Sequence, residues 1–513
     1  MLFVSKKQTG FTIVELLIVI VVIGILAAIV IVAFNGVQQN AATGVLKSDL
    51  RNAATELELA KVDNNDQYPD DEAGILASSG TTYMYTSNGS SYCLTAFSNI
   101  NSVASQYISS TTNQVTEGAC EGHSQGSASI AFPLEESAIL LASDAAASDR
   151  FGVDIAVHGD VAVIGAYTNS DAGAESGSAY VFTRSGTTWT EQAKLTASDA
   201  AAGDRFGYTV SVSGETVVVG ANGDSDQGVG TGAAYVFTRS GSTWTEQAKL
   251  TASDAAGNDR FGYDVALSGD TVVIGSYWDD VGGTDSGSAY VFTRSGTTWT
   301  EQAKLTASDA AASDNFGRNV DIHNETAVVG AYWNDDAGSN SGSAYVFTRS
   351  GTTWTEQAKL TASDAETNDR FGNSVAISDD SVVIGAYTES GIGASSGSAY
   401  VFTRSGSTWT EQAKLLASDT EAGDQFGGSV AMNGDTVAVG ATSNDDAGSS
   451  SGSAYVFTRS GTTWTEQAKL TASDAAASDL FGGSVAMNGD TLLVGATLND
   501  DAGSSSGSAY VFD

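Results

Sequence analysis

Residues 206–260 read FGYTVSVSGETVVVGANGDSDQGVGTGAAYVFTRSGSTWTEQAKLTASDAAGNDR, and this 55-residue pattern returns without an insertion along the rest of the chain. Its Phe-Gly pairs fall at Phe151, Phe206, Phe261, Phe316, Phe371, Phe426 and Phe481. A fixed period of that length marks one supersecondary unit, copied and stacked on a shared core. Four stretches of the unit carry strand signals: the alternating Tyr208–Val212, the apolar Thr216–Gly220, then Ala233–Thr238 and Trp244–Leu250. Turn formers separate them at Ser213-Gly214, in the Gly-rich 222–232 and at Arg239–Ser242. Four short antiparallel strands in each of seven units predict an all-β seven-bladed β-propeller.

The last copy stops at Asp513 without its fourth strand. A matching stretch stands ahead of the first copy. Leu134–Leu140 aligns with Trp189–Leu195, and Ala142-Ser143-Asp144 with Ala197-Ser198-Asp199. Residues 134–141 are therefore predicted to complete the blade of 481–513 and close the ring, removing an open sheet edge. The units resemble FG-GAP repeats, through the Phe-Gly pairs and through Gly-Ala or Gly-Ser at 165, 220, 275, 330, 385, 440 and 495. The proline of the family signature is replaced here by Tyr, Asn or Thr. The resemblance implies an extracellular binding module, often with calcium in the blade loops, and no reaction.

The N-terminus opens MLFVSKKQTG and runs into FTIVELLIVIVVIGILAAIVIVAF, residues 11–34, in which Glu15 is the one charge. That apolar run is long enough to span a bilayer as a helix, and Lys6 and Lys7 ahead of it predict a cytoplasmic start. A carboxylate so deep in a spanning segment is costly and marks function. Gly10–Leu17, with the basic residues before it, resembles the type IV pilin and pseudopilin signature. The resemblance implies that a prepilin peptidase cuts between Gly10 and Phe11 and methylates the new Phe11 amine. It also implies that Glu15 pairs with the Phe11 amine of a neighbouring pilin subunit during assembly.

Residues 1–10 then read as leader, 11–34 as membrane and filament-core helix, 35–126 as a small α+β pilin head, 127–133 as linker and 134–513 as propeller. Val45, Leu46, Leu50, Ala53, Ala54, Leu57 and Leu59 among charged residues continue the long helix amphipathically. Tyr83–Tyr85, Ser91–Leu94 and Gln106–Ile108 read as strands of the head. The two cysteines, Cys93 and Cys120, are expected to form one disulfide in an exported protein.

A net charge of −39 argues against nucleic acid and anionic membrane surfaces as partners, and suits divalent cations, cationic partners or plain solubility. The strand 2–3 loops and the connections between blades are predicted to share one acidic face. Arg184, Arg239, Arg294, Arg349, Arg404 and Arg459 lie in hairpins of the other. Five loops fit a short calcium-like spacing: Asn169/Asp171, Asp224/Asp226, Asn334/Asp336, Asn444/Asp446 and Asn499/Asp501, each followed by glycine. Their glycine comes one position early and no terminal acid follows regularly, so Asx-turns are the first reading and calcium the second. Trp278 and Trp333, outside the repeat consensus, are candidates to anchor a ligand beside these loops, or to pack against them.

No Ser/His/Asp set, Cys/His cluster or phosphate-cradling loop recurs, and His158 and His323 share a turn column. The expectation is a non-enzymatic minor or tip subunit of a type IV pilus. It would start in the cytoplasmic membrane and then display the propeller at the cell surface to a protein or glycan ligand. The alternatives are a pseudopilin of a type II-like secretion system and a membrane-anchored surface-binding protein.

Overall fold

The computed structural model describes residues 134–513 throughout and, before them, four strands and the helical positions Leu50, Ala53, Ala54 and Leu57. The chain divides into two compact units, Met1–Gly126 and Ser127–Asp513. In the first, the four helical positions are buried at the i, i+3, i+4, i+7 spacing of one apolar stripe. Strands β1 (Thr81–Ser87), β2 (Tyr92–Ser98), β3 (Gln106–Ser109) and β4 (Thr116–Glu117) form one antiparallel sheet in chain order, with Leu94 fully buried. The first three overlap the stretches 83–85, 91–94 and 106–108, and Cys93 lies in β2 between Thr86 and Ser109. Gly10, Phe11, Glu15, Cys120 and the apolar run 11–34 lie outside the described residues. Among those described, no helix is long and apolar enough to cross a membrane.

The second unit consists of seven four-stranded antiparallel sheets, the seven blades. In the second blade the strands are Phe206–Ser213, Thr216–Ala221, Ala233–Ser240 and Thr243–Leu250. First strands line a central channel. Second strands are buried at every residue, because neighbouring blades cover both faces, and so read as continuous Val/Ile runs. Fourth strands alternate at the outer rim, as in Thr243–Leu250.

The repeat signature has a packing cause. Phe206 is wholly buried and meets Tyr235 and Phe237 edge-on at 5.5 and 5.9 Å, and every blade repeats this trio. Gly207 takes φ +84°, and a Cβ there would lie 2.1 Å from the Ser178 carbonyl oxygen of the preceding blade. Side-chain-free positions are required at this seam because adjacent backbones touch there, bridged at Gly177 and Phe206.

The ring closes as the sequence predicts. Strand β5 (Glu136–Leu140) pairs with Ser508–Phe512 through Ala509/Leu140, Tyr510/Ile139 and Val511/Ala138. That register matches Ala234/Leu250 and its neighbours in the second blade. Leu140 is buried where Leu195 is buried in the first blade. Glu136 accepts from the Ser473 N–H and hydroxyl at 2.9 and 2.7 Å, as Glu191 does from Ser143.

Candidate functional site

The acidic loops are built around lysine. In the second blade Tyr235 donates to Asp199 at 2.7 Å, and Lys249 Nζ donates to Asp199, Asp224 and Asp226 at 2.8, 2.8 and 2.7 Å. Cross-strand pairing of Tyr235 with Lys249 brings the ammonium there. Lys194 holds Asp144 and Asp171 in the same way, Lys304 holds Asp254 and Asp279, and Lys359 holds Asp309 and Asp336. Lys414 holds Asp364 and Glu389, and Lys469 holds Asp419 and Asp446. Burial opposes ionisation of these aspartates. Hydrogen bonds from lysine and then tyrosine outweigh it and keep Asp144, Asp199, Asp254, Asp364 and Asp419 below the usual carboxylate range.

Calcium needs six to eight oxygens around one point. In four of the five short-form loops that point is taken: Lys194 approaches Asn169 at 3.4 Å, Lys359 Asn334 at 3.2 Å and Lys469 Asn444 at 3.3 Å, while Lys249 sits on Asp224 and Asp226. Asp199, Asp224 and Asp226 each place one oxygen within 4.8 Å of the others, around Lys249. These four loops fit a resident ammonium, not a calcium ion. The first loop side chain also accepts the N–H two residues on, as in Asp226 to Asp224 at 3.2 Å and Asp501 to Asn499 at 3.2 Å, the Asx-turn geometry. The seventh blade differs. Ile139 stands in the lysine column, and Asp501 is raised, first by its hydrogen bond with Asp474 and then by burial.

At the mouth of the channel, on this same face, the side chains are aromatic and cationic. Tyr167, Tyr208, Tyr263, Tyr277 and Trp278 follow one another with ring centroids 5.2, 4.9, 4.3 and 5.0 Å apart. Arg318 lies between Tyr263 and Tyr332, at 5.5 and 4.4 Å, and Trp333 packs on Tyr332 at 5.1 Å. Arg150 covers Tyr167, Arg260 covers Trp278 and Arg370 covers Tyr387. Blades six and seven put Gly428, Thr442, Gly483 and Thr497 at the corresponding positions, so the arc is one-sided.

Below lies a cavity of about 380 Å³ whose wall includes Asp154, Asp264, Asn319 and Asp321. Each of these accepts a backbone N–H from the next blade: Val210 on Asp154, Val320 on Asp264, Val375 on Asn319 and Ile377 on Asp321, all at 2.7 Å. Burial pushes Asp154 up to about 6. Burial, with the charge of Asp154 added, pushes Asp264 up to about 7.

Trp278 and Trp333 are thus brought into one arc, half-buried and partnered by tyrosines. Sequence reading missed the arginines of this face, although Arg150, Arg205, Arg260 and Arg370 each directly precede a Phe-Gly pair. The hairpin arginines of the opposite face instead stack on fourth-strand tryptophans, as Arg184 does on Trp189 at 5.3 Å.

Comparison with known proteins matches residues 134–182, 189–237, 244–292, 299–347, 354–402, 409–457 and 464–512 to the FG-GAP repeat model, more than half of the chain. Residues 5–31 match the prokaryotic N-terminal methylation motif. The type II secretion system core protein G of Pseudomonas aeruginosa is 36% identical over 72 residues, 14% of this chain and 50% of that protein. Those of Pectobacterium carotovorum subsp. carotovorum and Aeromonas hydrophila are each 37% identical, over 71 and 73 residues, 14% of this chain and 45% and 50% of theirs. The chain spans about half the length of these curated relatives. With its matched units forming one closed seven-bladed ring, the chain belongs to the FG-GAP repeat family.

Proposed function

We propose that this chain is a filament subunit of the type IV pilin class whose propeller serves as a binding head outside the cell. The observation that carries the reading is the joining, in one chain, of a methylation motif at residues 5–31 to a closed propeller. On this reading prepilin peptidase releases residues 1–10 and methylates Phe11. The subunit waits in the cytoplasmic membrane through 11–34, and Glu15 pairs with the Phe11 amine of a neighbour. A head of this bulk on every subunit would crowd a filament, which favours a minor or tip position. The head is assigned binding rather than catalysis because the repeated acidic clusters of six blades are each occupied by a lysine ammonium and its channel mouth is aromatic and cationic.

The relatives' names favour a second reading, a pseudopilin of a type II-like secretion system. Processing tests both. The chain recovered from its host is expected to begin at N-methylated Phe11 by mass spectrometry, and a chain that keeps Met1–Gly10 contradicts the pilin class. Recovery in surface filaments from cells lacking secretion-channel genes separates pilus from pseudopilus.

A further inference from the structure

The chain carries 61 acidic and 22 basic residues, so an arginine without a carboxylate is not explained by any shortage of carboxylates. On the hairpin face Arg184, Arg294, Arg349, Arg404 and Arg459 each pair with one. At the channel mouth, among the described residues, only Arg205 does, with Glu175 at 3.1 Å. Arg150 and Arg370 donate to the hydroxyls of Tyr167 and Tyr387, and Arg260 to the Asn222 carbonyl at 3.4 Å. Arg370 Nε is buried without an acceptor among the described residues. Arg318 is held between the rings of Tyr263 and Tyr332, and its contacts among the described residues are to those rings. Ring stacking uses the faces of a guanidinium. Its N–H donors lie in the plane, in a fork that matches a carboxylate.

We propose that the channel mouth binds an acidic polysaccharide, with Arg318 and Arg370 reading its carboxylates and Trp278 and Trp333 stacking on its sugar rings. The proposal rests on taking the propeller as a binding head, and it does not depend on which filament carries that head. Tyrosine and tryptophan held by their neighbours offer flat faces at little entropic cost, as a sugar ring requires. The opposite side of the mouth, with Gly428 and Gly483, has no bulk to exclude a chain of pyranose rings. Beneath, Asp154 and Asp264 can exchange hydrogen bonds with the hydroxyls that a sugar ring carries and an aspartate or glutamate side chain lacks.

The test uses the full chain in detergent, with polygalacturonate as probe, neutral dextran and polyglutamate as comparisons, and near-physiological salt. Binding to polygalacturonate above both polymers is expected. Losing a charge-assisted contact is expected to weaken it about tenfold or more in Arg318→Gln and in Arg370→Gln. Arg239→Gln on the other face, whose arginine has no carboxylate partner, is expected to change it less than about twofold. Melting curves confirm that each variant is folded. Equal losses from Arg318→Gln and Arg239→Gln, equal binding of polyglutamate, or no binding of polygalacturonate by folded wild-type chain overturns the proposal. A failure of filament assembly would leave all of these readouts unchanged.

Discussion

An ammonium group among carboxylates does for a blade loop what a bound cation would do, and six blades carry one, from Lys194 to Lys469. Asp224 is 2% exposed, so removing its lysine leaves a buried charge unpaired. Lys249→Met is expected to cost about 3 kcal/mol in urea unfolding. Calcium is expected to raise the melting temperature of the wild-type chain no more than magnesium does, whereas Lys249→Met should gain a calcium-specific rise. A calcium-specific rise in the wild type would restore the metal reading of the loops. The seventh blade offers the reverse experiment. Ile139→Lys brings a cation to Asp474 and Asp501 and is expected to raise the melting temperature, by about 0.5–1 kcal/mol of stability for a half-exposed pair.

The channel carboxyls set a pH dependence of their own. Asp154 and Asp264 have folded-state pKa values raised to about 6 and about 7, above the unfolded value near 4. The folded state therefore binds more protons between about pH 4 and 7, and stability falls as pH rises through that window. Melting at pH 5 is expected to exceed that at pH 7.5 at constant ionic strength, with the difference reduced in Asp264→Asn. The lysine-paired aspartates act in the opposite sense, since their depressed pKa values give stability that is lost only below about pH 4.

At the scale of the element, β5 decides whether the ring is shut. If it is an integral strand, Leu140→Ala costs about as much as Leu195→Ala, roughly 2–4 kcal/mol for either buried leucine. A silent Leu140→Ala beside a costly Leu195→Ala would contradict closure. The borrowed strand also lacks a glutamine. Elsewhere the fourth-strand tryptophan donates to a glutamine of the preceding blade, as Trp244 does to Gln192 at 2.9 Å. Ser137 takes that column before Trp189, whose Nε1 is buried without a partner among the described residues. Ser137→Gln is expected to raise the melting temperature.

This strand was legible in the sequence because closure preserves the Leu140 and Glu136 columns. The lysine clusters and the arginine arc were not. Lysine reads as an ordinary outer-strand residue until antiparallel register puts it beside Asp199, which lies 50 residues away. The arc joins different columns of successive repeats, and Arg318 stands where other copies have Val, Tyr, Asn or Gly, so comparison between repeats passes over it.

At the scale of the whole molecule, lysines organise the acidic loops of six blades, while recognition is assigned to a small cationic mouth. On the proposed reading, the link between head and filament depends on Glu15 in the apolar segment. If Glu15 pairs with the Phe11 amine of a neighbour, Glu15→Leu keeps membrane insertion and leader cleavage but loses the partner for that amine. The decisive measurement compares sheared surface filaments with whole-cell membranes by immunoblot, for wild type and Glu15→Leu. Processed Glu15→Leu protein is expected in membranes and absent from filaments that contain the wild type. Undiminished incorporation of the variant, or absence of the wild type from any filament, would contradict the reading of this chain as a filament-borne binding head.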